Sequence, residues 1–368
     1  MVLRPWFRRG NLAPIPGQTL FGTLRQQTLR RPTHAVHALL SMVSYESPTT
    51  LEAEGQPAFV QGLQLGYCKG LLELLCVVPG ACATRVSGKG MVMLKRVEDF
   101  LILDAPTEPQ LVEADVAGGH AVAYSCRDPE KKSENEDTVA IIPYGPSAVV
   151  LAVADGAGGL PAGKRASLTA VTTLADSLNA AMQETALLRP AILNGIEAAN
   201  SAVLGLANGS ATTMTVVTVE GVQARSYQVG DSEAMVVGQR GVVKLQTTAH
   251  SPTGFAVEAG FLDQRDALHH EERHLVSNFI GTNDMRIDVG AMVELKPRDT
   301  VIVASDGLMD NVHVDEVIDC VRTGPLAGAT TKAIDLARKR MLSSREGQPS
   351  KPDDLSLIVF RKPNRKPA

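Results

Sequence analysis

Between Gly119 and the C-terminus, apolar residues run in short blocks broken by glycines and acids. His120–Cys126, Thr138–Tyr144 and Val149–Ala154 read as strands, and the last is apolar throughout, as a strand buried on both faces would be. Ala162–Met182 and Pro190–Ala207 carry the longer helical pattern. Ala211–Glu220, Ala224–Val229, Ala234–Gly238 and Val242–Gln246 are β-rich pieces joined at glycines, which predicts an antiparallel meander. Thr300–Ala304 and Leu355–Phe360 read as further buried strands, with helical patterns at Val314–Arg322 and Ala329–Leu342 between them. Strands, two helices, more strands and more helices predict a layered α+β domain over residues 116–362, not a regular βαβ alternation.

The chain before residue 116 reads differently. Residues 1–45 hold arginines at 4, 8, 9, 25, 30 and 31 and no acid until Glu46, with prolines that break any long helix. This predicts a disordered basic tail and a cytoplasmic protein; an organelle transit peptide, and so an organelle matrix, is the alternative. Residues 46–115 form a poorly defined extension without recognisable chemistry. Within it Leu63–Ala83 is strongly apolar, but Lys69, Glu73 and Pro79 interrupt it short of the ~20 residues of a bilayer span, so a short buried or interface helix is expected. Val92–Val97 and Phe100–Leu103 have strand character.

Composition narrows the partners. A formal charge of −4 gives no reason to expect nucleic acid or an anionic membrane, and a monomer is expected. The five cysteines are an odd number without a C-x-x-C pair, which points to reduced thiols. None has an arginine six residues on, so a cysteine-based phosphate cradle is excluded.

Several strands begin or end at acids. Glu136-Asp137 opens one, Asp155-Gly156 closes the next, and Asp231 lies between two of the β-rich pieces. Asp306-Gly307 follows Thr300–Ser305, Asp310 comes one helical turn later, and Asp353-Asp354 precedes the final strand. Each alone is ordinary turn punctuation. Asp155 and Asp306, however, repeat one layout: small and aliphatic residues, then Asp-Gly. On neighbouring strands both carboxylates would reach one sheet edge. Clustered carboxylates raise one another's pKa unless a cation screens them, and oxygen-only ligands select Mg²⁺ or Mn²⁺ over zinc.

In order, Asn135-Glu136-Asp137, Val153–Gly159, the Gly209–Thr213 strand start, Val229–Ser232, Ala304–Asp310 and Asp353–Ser356 resemble the protein phosphatase 2C type of metal-dependent serine/threonine protein phosphatases. The resemblance covers about residues 119–361. It implies a four-layer α-β-β-α sandwich of two antiparallel sheets flanked by helices. It also implies a binuclear Mn²⁺ or Mg²⁺ centre that activates water without a phosphoenzyme. Carried over, Asp155 bridges two ions, the Gly156 carbonyl ligates the first, and Asp306, Asp353 and Glu136 ligate the second. Asp137 holds a water, and Asp231 with Asp310 could hold a third, weaker ion. The implied substrate is a phosphorylated protein, opposing a serine/threonine kinase. Asp155 and Asp306 carry catalysis, joined by Lys132 where the family usually places a phosphate-gripping arginine; a lysine is a point charge without the bidentate fork, and Arg127 is the alternative grip. Ala157 replaces a histidine frequent in eukaryotic members, so no general acid comes from that position. Thr253–Asp284 is expected to form a mobile flap beside the site.

Other readings compete. His270–His274 fits H-E-x-x-H, a zinc-peptidase signature, with Glu294 as a conceivable third ligand, yet its surroundings are charged and a solvated flap helix fits better. Gly158–Lys164 nearly makes a phosphate-binding loop, but Arg165 stands where a serine or threonine is needed. A catalytically silent binding or regulatory module is the remaining alternative, with Lys132 its only support.

Overall fold

The computed structural model describes residues 92–96, 100–157 and 162–363. In chain order its first strands are β1 (Val92–Arg96), β2 (Leu101–Asp104), β3 (Gln110–Val116), β4 (Gly119–Cys126), β5 (Thr138–Tyr144), β6 (Ala148–Ala154) and the short β7 (Gly156–Ala157). Helices α1 (Ala162–Gln183) and α2 (Leu188–Leu204) follow. Then come β8 (Ala211–Thr212), β9 (Met214–Glu220), β10 (Gln223–Val229), β11 (Glu233–Val237) and β12 (Val243–Gln246). The flap carries α3 (Pro252–Glu258) and α4 (Gln264–Ala267) and leads to β13 (Asp288–Val289), β14 (Val293–Glu294) and β15 (Thr300–Ala304). The chain closes with α5 (Asp306–Met309), α6 (Val314–Val321), α7 (Leu326–Leu342) and β16 (Leu355–Arg361).

Side-chain alternation along the strands builds the layers. In β6, Val149, Leu151 and Val153 enter the core between the sheets, beside Val301, Val303, Ile358 and Phe360. The intervening Val150, Ala152 and Ala154 face Ala166, Ala170 and Ile196 of the α1–α2 layer. On the other outer face, Ile302, Leu357 and Val359 meet Val317, Ile318 and Ala333 of α6 and α7. With apolar cover on both faces, these strands need no polar alternation, which explains their continuous apolar runs. One sheet has the order β1-β3-β4-β16-β15-β11-β12, the other β13-β10-β9-β6-β5-β2, with β14 also on β10. Pairing within them is antiparallel except between β1 and β3. The four-layer α-β-β-α sandwich of two antiparallel sheets is thus the observed fold.

Three expectations need correcting. The meander is divided: β9 and β10 pair in one sheet, whereas β11 and β12 belong to the other. The chain crosses between sheets at Gly230–Ser232, which puts Asp231 on the crossing. The boundary at residue 116 leaves out β2, which pairs with β5, and all but the last residue of β3, which pairs with β4 along Gln110–Val116. Leu103, Val112 and Ala114 are buried in the inter-sheet core, so the sandwich takes in strands before residue 116. In the flap, His270–His274 forms turns, and the nearest helix is the four-residue α4. The basic tail and Leu63–Ala83 lie outside the described residues. Among the described residues no helix is long and apolar enough to cross a membrane.

Candidate functional site

Asp155 and Asp306 follow strands of opposite sheets, β6 and β15, not neighbours in one sheet. They meet because β6 packs over β15 and β16 in the sandwich, which brings these strand ends to a common rim. Glu136 and Asp137 arrive just before β5, Asp231 on the crossing, Asp310 after α5, and Asp353 just before β16. The sequence-predicted acids therefore converge.

Close backbone approach explains the glycine after each repeated aspartate. A Cβ on Gly156 would lie 2.3 Å from the Gly163 carbonyl group and 2.8 Å from the Glu136 oxygen; one on Gly307 would lie 1.9 Å from the Asp354 oxygen. Only glycine tolerates either contact. The Thr212–Thr213 pair holds Asp155 by its main chain. The Asp155 amide donates to Thr213 Oγ1 at 3.0 Å, and its carbonyl accepts from the Thr213 amide and Thr212 Oγ1, each at 2.8 Å. Asn135 accepts from the Asp137 amide at 2.9 Å and donates to Ser125 Oγ and to the Pro106 carbonyl, tying the acids to the segment before β3. Ser305 Oγ donates to Asp137 Oδ2 at 2.9 Å.

The ring is electrostatically tense. Burial, and then the charges of Asp137, Asp306, Asp353 and Asp231, push the Asp155 carboxyl well up. Burial followed by neighbouring acids does the same at Asp137, Asp231 and Asp310. Asp353 is pushed up to about 7 by burial and then by Asp306. Asp306 differs: burial works upward, but the Lys351 ammonium, together with hydrogen bonds to Asp155 and the Gly307 amide, holds the carboxyl below its ordinary value. Two lysines stand among the acids. Lys351 Nζ contacts Asp306, Asp310 at 2.9 Å and Asp353 at 3.2 Å. The contact to Asp310 Oδ2 is ionic without hydrogen-bond alignment. Lys131 Nζ reaches Glu136 at 2.6 Å and Asp354 at 2.8 Å.

Glu136 Oε1, Asp137 Oδ1 and Asp306 Oδ1 are buried with no hydrogen-bond partner, a costly state for a carboxylate oxygen. Among the described residues no three acidic, histidine or cysteine side chains are drawn closely enough together to hold an ion as they stand, since ammonium groups separate the carboxylates. The orphaned oxygens and the all-oxygen donor set nevertheless fit a hard divalent cation. From Asp231, Asp306 and Asp310 a cleft of ≈ 600 Å³ opens between the flap and α6, lined by Glu233, Thr253, Leu268, Arg273 and Val314 among others.

Sequence reasoning missed four contributors. Asp354 is buried and accepts from the amides of Asp128 and Glu136, both at 2.8 Å, as well as from Lys131, so the second acid of the doublet braces the site. The doublet itself was the available signal. Lys131 and Lys351 had none, because nothing in sequence says which way a loop lysine turns. Glu233 borders the cleft and is pushed up to about 7 by burial, against a hydrogen bond from Gln246 and with the help of Asp310. Lys132 is exposed and reaches none of the acids; neighbouring side chains in a loop face differently, and Lys131 is the one turned inward. Arg127 is tied to the Ser133 carbonyl.

The competing motifs do not form their sites. His270, Glu271 and His274 are exposed on turns, and His270 Nδ1 accepts from the Glu272 amide. Lys164, at the end of the near phosphate loop, pairs with Glu134 at 3.2 Å, and residues 158–161 lie outside the described residues.

A family model described as protein phosphatase 2C matches residues 129–335. The chain is 28% identical over 219 residues to a putative protein phosphatase 2C-type of Streptococcus pyogenes serotype M6, covering 57% of this chain and 88% of that relative. Its fold is similar to that of the Ser-Thr phosphatase MsPP from Mycobacterium smegmatis, solved in complex with cacodylate, with TM-score 0.55 and 25% identity over 66% of this chain and 97% of that one. The catalytic domain of the phosphatase PstP, solved with 2 manganese ions, has a similar fold at TM-score 0.52 and 24% identity, covering 66% of this chain and 96% of that one.

Proposed function

The chain belongs to the protein phosphatase 2C family, and on that premise we propose that it hydrolyses phosphoserine and phosphothreonine in proteins at the acid ring around Asp155, with Mn²⁺ or Mg²⁺ as cofactor. The observation that carries this reading is the convergence of Asp137, Asp155, Asp231, Asp306 and Asp353 closely enough to perturb one another. In this reading Asp155, the Gly156 carbonyl, Asp306, Asp353 and Glu136 would together hold two ions. Asp231 and Asp310 suit a third, weaker ion. When bound, such cations would supply charge neutralisation of the phosphoryl oxygens and would make water more acidic, so that direct hydrolysis needs no phosphoenzyme.

The remaining work falls to side chains. Asp137, held through Oδ2 by Ser305, keeps Oδ1 free to accept a hydrogen bond from the attacking water and aim it. Thr212 and Thr213 fix the Asp155 main chain so that its carboxylate keeps one position while charge develops. Lys132, exposed in the same loop as Glu136, is free to meet phosphate as a point charge. Ala157 offers no proton, so the departing serine or threonine oxygen takes one from water in the open cleft. The substrate is a cytoplasmic phosphoprotein that a serine/threonine kinase modifies, and the chain acts as a monomer. The catalytic unit runs from β2 or earlier to about residue 362.

A phosphopeptide panel tests the reading with the full chain. Hydrolysis that requires added Mn²⁺ or Mg²⁺ and stops on chelation is expected. Metal-independent hydrolysis, or no hydrolysis of any phosphopeptide with both metals supplied, would contradict it.

A further inference from the structure

Lys351 lies two residues before Asp353, yet its ammonium reaches across to two acids of another segment. It contacts Asp306 through a short hydrogen bond, Asp310 at 2.9 Å and Asp353 at 3.2 Å. Its side chain is only 21% exposed. Three carboxylates thus face one half-enclosed ammonium at ion-pair distance. Lys131 plays a different part. It pairs with Glu136 at 2.6 Å and with Asp354, an acid already committed to two backbone amides, and so braces the segment before β5.

We propose that Lys351 is a positioning residue, the built-in counter-ion of the second cation position: its ammonium keeps Asp306, Asp310 and Asp353 converged, and an incoming divalent ion must displace it. The inference rests on the cation-dependent reading above. One positive charge against three carboxylates leaves the cluster under-neutralised, so exchange for a doubly charged ion is favourable. Lysine's flexible four-carbon stem allows the ammonium to swing away. The same lysine therefore preforms the acid cluster and weakens its hold on the ion, because each binding event must first break its ion pairs.

Calorimetric titration of the metal-free full chain with MnCl₂, alongside thermal unfolding in chelator, tests this without reading activity. K351M should bind Mn²⁺ roughly tenfold more tightly than wild type, the fold-change of about 1.4 kcal/mol of removed competition. It should also unfold at lower temperature in chelator, where Asp306, Asp310 and Asp353 lose the ammonium that pairs with them. K351R, which keeps the charge, should restore the metal-free midpoint and bind Mn²⁺ no more tightly than wild type. A merely structural lysine would lower the midpoint of K351M without tightening Mn²⁺ binding, and that result would overturn the proposal. If K351M is unfolded in chelator, K351Q takes its place with the same expectation. Wild type that takes up no Mn²⁺ would instead contradict the proposed function, whatever the lysine variants do.

Discussion

Thr213 grips both main-chain polar groups of Asp155: its Oγ1 accepts from the Asp155 amide at 3.0 Å and its own amide donates to the Asp155 carbonyl at 2.8 Å. The same hydroxyl meets Ser232 Oγ at 2.8 Å, next to Asp231 on the crossing between sheets. One small side chain thus ties together two acids that arrive from distant parts of the sequence.

T213V keeps the shape but leaves the Asp155 amide and Ser232 without that hydroxyl. Leaving such groups unsatisfied costs about 1–3 kcal/mol, so the unfolding midpoint should drop by roughly 2–10 °C for a domain of this size. T213S, which retains the hydroxyl, should lose much less. Equal midpoints for T213V and wild type in thermal unfolding would show that the hydroxyl holds nothing.

Metal-free stability should fall as pH rises. Asp353 and Glu233 are both pushed up to about 7, chiefly by burial, from ordinary values of 3.8 and 4.5. The folded chain therefore holds these protons more tightly than the unfolded chain does. The stability they contribute is fully present below about pH 4 and is lost as pH climbs through 7. Asp306, held low by Lys351, works the other way, but its contribution changes only below about pH 4, outside this window. Unfolding midpoints in chelator should decline from pH 5 to pH 8, and added Mn²⁺ should raise the midpoint more at pH 8, where the carboxylates are ionised. A metal-free midpoint that rises over this interval would contradict the electrostatic picture.

Truncation should be damaging well before the acids are reached. Starting the chain at residue 116 removes β2 and nearly all of β3, and with them the Pro106 carbonyl that Asn135 uses. Leu103 and Val112 alone represent about 3–6 kcal/mol of burial, a large share of the about 5–15 kcal/mol that holds a domain together. Circular dichroism should find the 116–368 fragment unfolded or strongly destabilised, and a fragment beginning at Val92 cooperative and folded. A stable 116–368 fragment would show that these strands are dispensable.

Much of this was legible because burial leaves a plain mark. Val149–Ala154 is apolar throughout since it faces a sheet on one side and α1 and α2 on the other. Strand pairing was less legible. Nothing local in Gln223–Val237 says that the chain leaves one sheet at Gly230 and joins the other, because that choice is made by long-range partners such as β15. Asp-Gly at 155–156 and 306–307 announced the rim, though the glycines answer to close backbone contacts that sequence cannot display. The lysines were illegible for a related reason: Lys131 and Lys132 are the same residue type, yet Lys131 turns in to Glu136 and Asp354 while Lys132 is exposed, and the folded positions of those acids select between them.

The central claim is that the carboxylates of Asp155 and Asp306 carry a cation-dependent hydrolysis. The most direct measurement is Mn²⁺-dependent phosphopeptide hydrolysis by D155N and D306N, with circular dichroism as the check on folding. Each neutral amide keeps the volume but forfeits the charge that a divalent ion requires. Both folded variants should lose activity by about a hundredfold or more, as expected when a group that stabilises the transition state is removed. Wild-type rates in both folded variants would contradict the claim.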